Sequence, residues 1–219
     1  MATGHDWKTG YRAPLATAVL VAALFIGLAL YQLFVQSLAG IDLFTARPGG
    51  NPLGLVLANA VYDGEPNLVA IILSSAYLFV VALELDPKKR RTVALTYPLV
   101  LLLVPFIIDY VYISIGVGRF CKLPCTSDGM SILATTAMGF VLVLSLGGLA
   151  VIMREFMYQR VSRIGGLSIA LFWMGYLIAF LLLLLGAFLF QERGVVFVHL
   201  FGLGLGAICA IPLLAGRKP

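Results

Sequence analysis

The sequence predicts an all-α fold, a polytopic membrane protein built as a bundle of six transmembrane helices, and three observations predict it. Of 219 residues, 61% are hydrophobic and only 11% are charged, where a soluble domain carries roughly 25% charged residues; the mean hydropathy is +1.03. Six apolar segments reach the ~20 residues that a helix needs to cross ~30 Å of hydrocarbon. No segment alternates apolar and polar residues with period 2, and backbone groups in lipid need partners inside the structure, so the spans read as helices and not as barrel strands.

Taken in order, the expected spans are 14–36, 68–85, 93–115, 131–153, 164–190 and 195–215, forming a single domain over 1–219. The first run is long enough to span and lacks a small-residue cleavage site, so it reads as a helix that stays and not as a signal peptide. The fifth is longer than the bilayer requires, and tilt is expected there. Between the first two spans lies the longest connection, 37–67, whose middle, "NPLGLVLANAV" (51–61), is apolar but too short to cross. It is expected to lie flat on the outer leaflet, sent there by a turn at "RPGG" (47–50).

The basic residues give the orientation. Lys8, Arg12, Lys88, Lys89, Arg90, Arg91, Arg154, Arg160, Arg163, Arg217 and Lys218 fall on one side, and only Arg47, Arg119, Lys122 and Arg193 on the other. The positive-inside rule puts both termini in the cytoplasm. The net charge of +5 is thereby a topology signal and not a nucleic-acid footprint. A six-span core with no soluble domain points to a prokaryotic cell membrane. No metal set and no cofactor motif is evident, and oligomeric state is left open.

Cys121 and Cys125 flank "KLP" in the third connection, on the expected outer side. They read either as a disulfide in an oxidising compartment or as the redox pair of a thiol oxidoreductase, although such enzymes favour two intervening residues and here there are three. Cys209 reads as a small apolar filler of the last span.

His199, in "VFVHLFGLGLG" (197–207), is the one histidine within a span. Ionisable groups in hydrocarbon mark sites or serve as helix-joining hydrogen bonds. Its helix runs inward from the outer face, and so does the fourth span, whose first turn carries Ser131. Both side chains fall in the same shallow outer layer. Gly202 and Gly206 share a helical face with His199, and Gly139 lies two turns below Ser131, so the two backbones have room to approach.

These residues resemble the rhomboid intramembrane serine proteases. That family carries its nucleophile in G-x-S-G at the start of the fourth of six helices, with a further glycine eight residues on; here stand Gly129, Ser131 and Gly139. Its base lies in A-H-x-x-G-x-x-x-G on the sixth; here stand His199, Gly202 and Gly206. The resemblance implies a Ser131–His199 dyad acting on a transmembrane protein substrate near the outer face. Ile132 follows the serine where the family usually has glycine, Val198 precedes the histidine in place of alanine, and Thr135 replaces a frequent aromatic. The family's H-x-x-x-N pair is missing from "EPNLVAIILSSAYL" (65–78), leaving Asn67 as the nearest polar candidate for the oxyanion. A non-proteolytic relative that binds transmembrane helices is the alternative.

Serine chemistry needs a base, an oxyanion site and water. His199 supplies the first, and unpaired N–H groups around Gly129, Ser131 and Ile132 at the start of the fourth helix are candidates for the second. Of the other polar groups, Asp109 is expected to snorkel to the outer surface, Asp128 to cap the fourth helix, Ser74 and Ser75 to bond back to their own backbone, and Glu84 to pair with "DPKKRR".

Overall fold

The structure, a computed structural model, describes residues 12–38, 41–83, 87–115, 129–157, 178 and 193–214. Six helices run through them: α1 (Arg12–Phe34), a single turn α2 (Gly54–Leu57), α3 (Glu65–Leu83), α4 (Pro87–Ile115), α5 (Ser131–Met157) and α6 (Arg193–Leu214), with 3-10 turns at Asp42–Phe44 and Ala58–Ala60. No strand occurs among the described residues, and the fold is all-α. Residues 12–34 of α1 and Lys89–Ser114 of α4 are long and apolar enough to cross a membrane; the apolar stretches of the other helices, Glu65–Phe79, Ser131–Gly147 and Val198–Leu214, are shorter among the described residues. The expected fifth span, 164–190, lies outside the described residues except for residue 178.

Hydrophobicity does not choose which face of these helices turns inward. In α1 the buried stripe is Ala18, Val21, Phe25 and Ala29, while Val19, Leu20, Leu24 and Leu33 are exposed. In α4, Tyr97, Val100, Leu101, Val104 and Ile108 are buried, while Leu95, Leu99, Leu102, Leu103 and Ile107 are exposed. Large apolar side chains thus lie on the exposed face of both helices as well as on the buried one. α5 is the most enclosed helix, with every residue from Ile132 to Val141 buried. It packs against α3, α4 and α6, and α1 lies outside, against α3 and α4.

Polar contacts tie the layers together. Ser75 Oγ and Tyr97 Oη stand 3.3 Å apart, and the Tyr97 ring packs on Phe140 with centroids 5.5 Å apart. Ser75 thus joins α3 to α4 and does not merely bond back to its own helix. Thr17 Oγ1 donates to the Ala94 carbonyl at 3.1 Å, pinning α1 to the same helix.

The connection between α1 and α3 departs from expectation. A turn does form at 47–50, with Gly50 N–H donating to Arg47 O at 3.1 Å. The apolar stretch after it does not lie flat on the surface. It folds as a strap into the end of the bundle where α5 begins, burying Gly54, Ala58 and Asn59. Gln32 clamps it from α1, donating Nε2 to Ala60 O and accepting from Tyr62 N–H, both at 2.8 Å. From α4, Asp109 Oδ2 accepts from Asn59 Nδ2 at 2.6 Å, and Gly129 N–H donates to Ala58 O at 2.9 Å. Local turns pair the strap's N–H groups from Leu53 to Ala58, and the groups they leave over, Ala60 O and Tyr62 N–H, find partners in Gln32 of the neighbouring helix, as buried backbone groups must. Asp109 is correspondingly fully buried, not extended to the surface, because the strap brings it a donor.

Candidate functional site

The site is set by how closely α5 and α6 approach. A methyl group on Gly202 would stand 2.6 Å from Thr135 Oγ1 and 3.2 Å from Ile132 O; one on Gly206 would overlap the Thr136 carbonyl, and one on Gly139 the Leu203 carbonyl. Backbone contact therefore requires glycine at Gly139 and Gly206, while at Gly202 the tight neighbour is the Thr135 hydroxyl. Further along, Gly147 meets the side chain of Leu214. Residue numbers rise together on both helices, so they run parallel.

That register brings Gly202 level with Thr135, and His199, three residues or ~4.5 Å earlier on its helix, level with Ser131 and Ile132. Ser131 is the first residue of α5 and half-buried. His199 is only 3% exposed, and neither of its ring nitrogens has a hydrogen-bond partner among the described residues. The two side chains thus share a layer without a hydrogen bond between them. An imidazole buried with both nitrogens unmet is unusual, since buried polar atoms are nearly always paired. Thr135, one turn below Ser131, directs its hydroxyl back to the carbonyls of Ser131 and Ile132 at 3.1 and 3.0 Å. Thr136 bonds to Ile132 O at 2.8 Å. Both keep their hydroxyls on their own helix, and Thr135 lines the contact with Gly202.

Asp63, which the motif reading does not single out, sits at the start of α5. Its carboxylate accepts from the backbone N–H groups of Met130 and Ser131 and from Asn67 Nδ2 at 3.0 Å. Gly129, at φ 123°, lies so close that a methyl there would stand 2.5 Å from Asp63 Oδ2. Gly129 is thus fixed twice, by a left-handed backbone that disfavours side chains and by this carboxylate. Asp63 is exposed as a residue. Burial raises its pKa above the ordinary carboxylate value, and the bonds from Asn67, Ser131 and Met130 work against that rise. The only sequence signal for Asp63 was a carboxylate just ahead of α3, where it reads as a cap for its own helix; it caps α5 instead.

Asn67 therefore donates to Asp63 and not to Ser131. The N–H of Ser131, a candidate oxyanion donor, is engaged by Asp63. Ile132 is buried in the first turn of α5. Cys121, Cys125, Asp128 and Glu84 lie outside the described residues. Cys209 is a free thiol, partly buried. Among the described residues, no group of three His, Cys, Asp or Glu is placed to hold a metal ion. Compared with family models, with curated proteins and with solved structures, the chain finds no match in any of the three.

Proposed function

We propose that this chain is a six-span intramembrane serine protease of rhomboid-like architecture, cleaving transmembrane protein substrates near the outer face of a prokaryotic cell membrane, with both termini in the cytoplasm. The observation that carries this reading is His199: a buried imidazole with both nitrogens unmet, level with Ser131 through the glycine contacts of α5 and α6. No structural role uses its nitrogens among the described residues, and a base awaiting substrate has that character.

In the reaction, the Ser131 hydroxyl gives its proton to His199 as Oγ bonds to the scissile carbonyl carbon. The carbonyl oxygen becomes an oxyanion, held by N–H groups at the start of α5. His199 then returns the proton to the departing amine as the C–N bond breaks, and water repeats the sequence on the acyl ester. The test is cleavage of a reporter transmembrane helix in proteoliposomes. Ser131→Ala and His199→Ala are each expected to lower the rate by at least ~10³-fold with folding intact; retained activity in Ser131→Ala refutes the proposal.

A second reading, a non-proteolytic binder of transmembrane helices, is favoured by one observation: the N–H groups of Met130 and Ser131 are already engaged by Asp63. It expects substrate capture that survives Ser131→Ala and no reaction with a fluorophosphonate.

A further inference from the structure

The glycine contacts that hold α5 to α6 reach as far as the Ile132 carbonyl, which faces Gly202, one residue short of Ser131. Ser131 opens its helix, where backbone N–H groups have no partner within the helix itself. Its position therefore depends on what fixes the two residues ahead of it. Met130 is fully buried in the main core. Gly129, at φ 123°, turns the chain into the helix, and its N–H donates to Ala58 O of the strap at 2.9 Å.

The strap is gripped in turn by one face of α4. Ala58 packs in a cluster with Ala46 and Ile113. Asn59 donates Nδ2 to Asp109 Oδ2 at 2.6 Å, and both side chains are buried. Asp109 and Ile113 lie one turn apart, so consecutive strap residues meet a single helical face, Ala58 through its methyl group and Asn59 through its amide. Gln32 of α1 fixes the backbone that follows, at Ala60 and Tyr62. A continuous line of contacts thus runs from the Asp109 carboxylate through Asn59, along the chain to Ala58 O, and across to the Gly129 N–H just ahead of Ser131.

We propose that Asp109 and Asn59 are positioning residues for Ser131: the carboxylate on α4 sets the strap, and the strap sets the backbone from which α5 starts. A hydroxyl that must pass its proton to a base needs hydrogen-bond reach of it, and a misplacement of about 1 Å costs about 10²-fold in rate. The catalytic consequence rests on the hydrolytic reading above; the hold of the strap on the start of α5 does not.

The experiment uses the full chain in proteoliposomes with the reporter transmembrane helix, as wild type, Asn59→Ala, Asn59→Asp and the exchange of Asn59→Asp with Asp109→Asn, which turns amide and carboxylate round and restores a bond between them. Active sites are counted with a fluorophosphonate, so that loss of folded chain does not enter kcat. Both single variants are expected to lower kcat about tenfold or more with KM unchanged, and the exchange to recover most of the loss. A bond that only stabilised the fold would lower the number of active sites and leave kcat alone. Folded single variants with wild-type kcat, or an exchange no better than Asn59→Asp, overturn the proposal. In parallel, the chains are labelled with ¹⁵N at Gly and Ser in detergent micelles. The amide signals of Gly129 and Ser131 are expected to move in the single variants and to return in the exchange, while that of Gly27 on α1 stays fixed; signals of Gly129 and Ser131 that ignore the variants overturn the proposal as well. Amides that respond in chains that neither cleave nor label leave the positioning standing and refute the protease, whereas cleavage with kcat indifferent to Asn59 does the reverse.

Discussion

Gly204 and Gly206 lie two residues apart on α6, only the second of them on the face that carries His199, and the structure predicts opposite outcomes for alanine at each. A methyl on Gly204 meets nothing within 4 Å among the described residues, whereas one on Gly206 overlaps the Thr136 carbonyl and comes 3.2 Å from Phe140 N. Those atoms are backbone of a packed helix and cannot swing aside, so α5 and α6 must part by about 1 Å to restore ordinary contact at ~3.5 Å. Replacing glycine by alanine inside a helix gains about 1 kcal/mol at either site. At Gly206 the overpacking term, about 1–3 kcal/mol, opposes it. Gly204→Ala is therefore expected to be stabilising by up to about 1 kcal/mol, and Gly206→Ala to lie about 1–3 kcal/mol below it. Reversible unfolding in mixed micelles measures both. Because the forced separation falls two turns from His199, the proposed proteolytic function further expects Gly206→Ala to slow cleavage by about 10²-fold, the usual consequence of a 1 Å misplacement. A Gly206→Ala chain as stable as Gly204→Ala would refute the close helix contact and the register that sets His199 level with Ser131.

Asn59→Ala removes a donor from a fully buried carboxylate and is expected to lose about 2–3 kcal/mol in the same unfolding assay, with faster amide exchange across 58–62 as the strap loosens; an unchanged midpoint contradicts the anchoring role of Asp109. For Asp63 the folded pKa lies above the unfolded one because burial disfavours its charge. The folded state then binds the proton more tightly, so this contribution to stability is complete below the unfolded pKa and is lost as pH rises through the folded one. Unfolding midpoints across mildly acidic pH should fall with rising pH more steeply in the wild type than in Asp63→Asn, and parallel profiles in the two chains contradict the raised pKa of this carboxyl.

Much of the architecture was legible because its signals are local. Apolar runs set where α1, α3, α4, α5 and α6 lie, and the spacing of Gly202 and Gly206 after His199 marked one face of a helix before any contact was known. The strap was misjudged for the opposite reason. Its apolar middle gave the same signal for lying on a surface as for inserting between helices, and the choice turned on Gln32, Asp109 and Gly129, which are remote in sequence. Asp109 followed from the same cause: a lone carboxylate near a helix end reads as reaching for water until Asn59 is brought to it. Asp63 escaped notice because its partners, the N–H groups of Met130 and Ser131, belong to backbone and carry no residue signature.

By itself the sequence determined that the chain is helical and apolar, and which side chains have the chemistry for proton transfer, since both follow from residue type and spacing within one segment. Only the tertiary structure decided which glycine is a contact and which is open, that a strap closes the end where α5 begins, and that a carboxylate rests on the amides beside Ser131. Those outcomes depend on distances between helices, and in a chain apolar on every face no hydrophobic pattern encodes them; close fit and hydrogen bonding do.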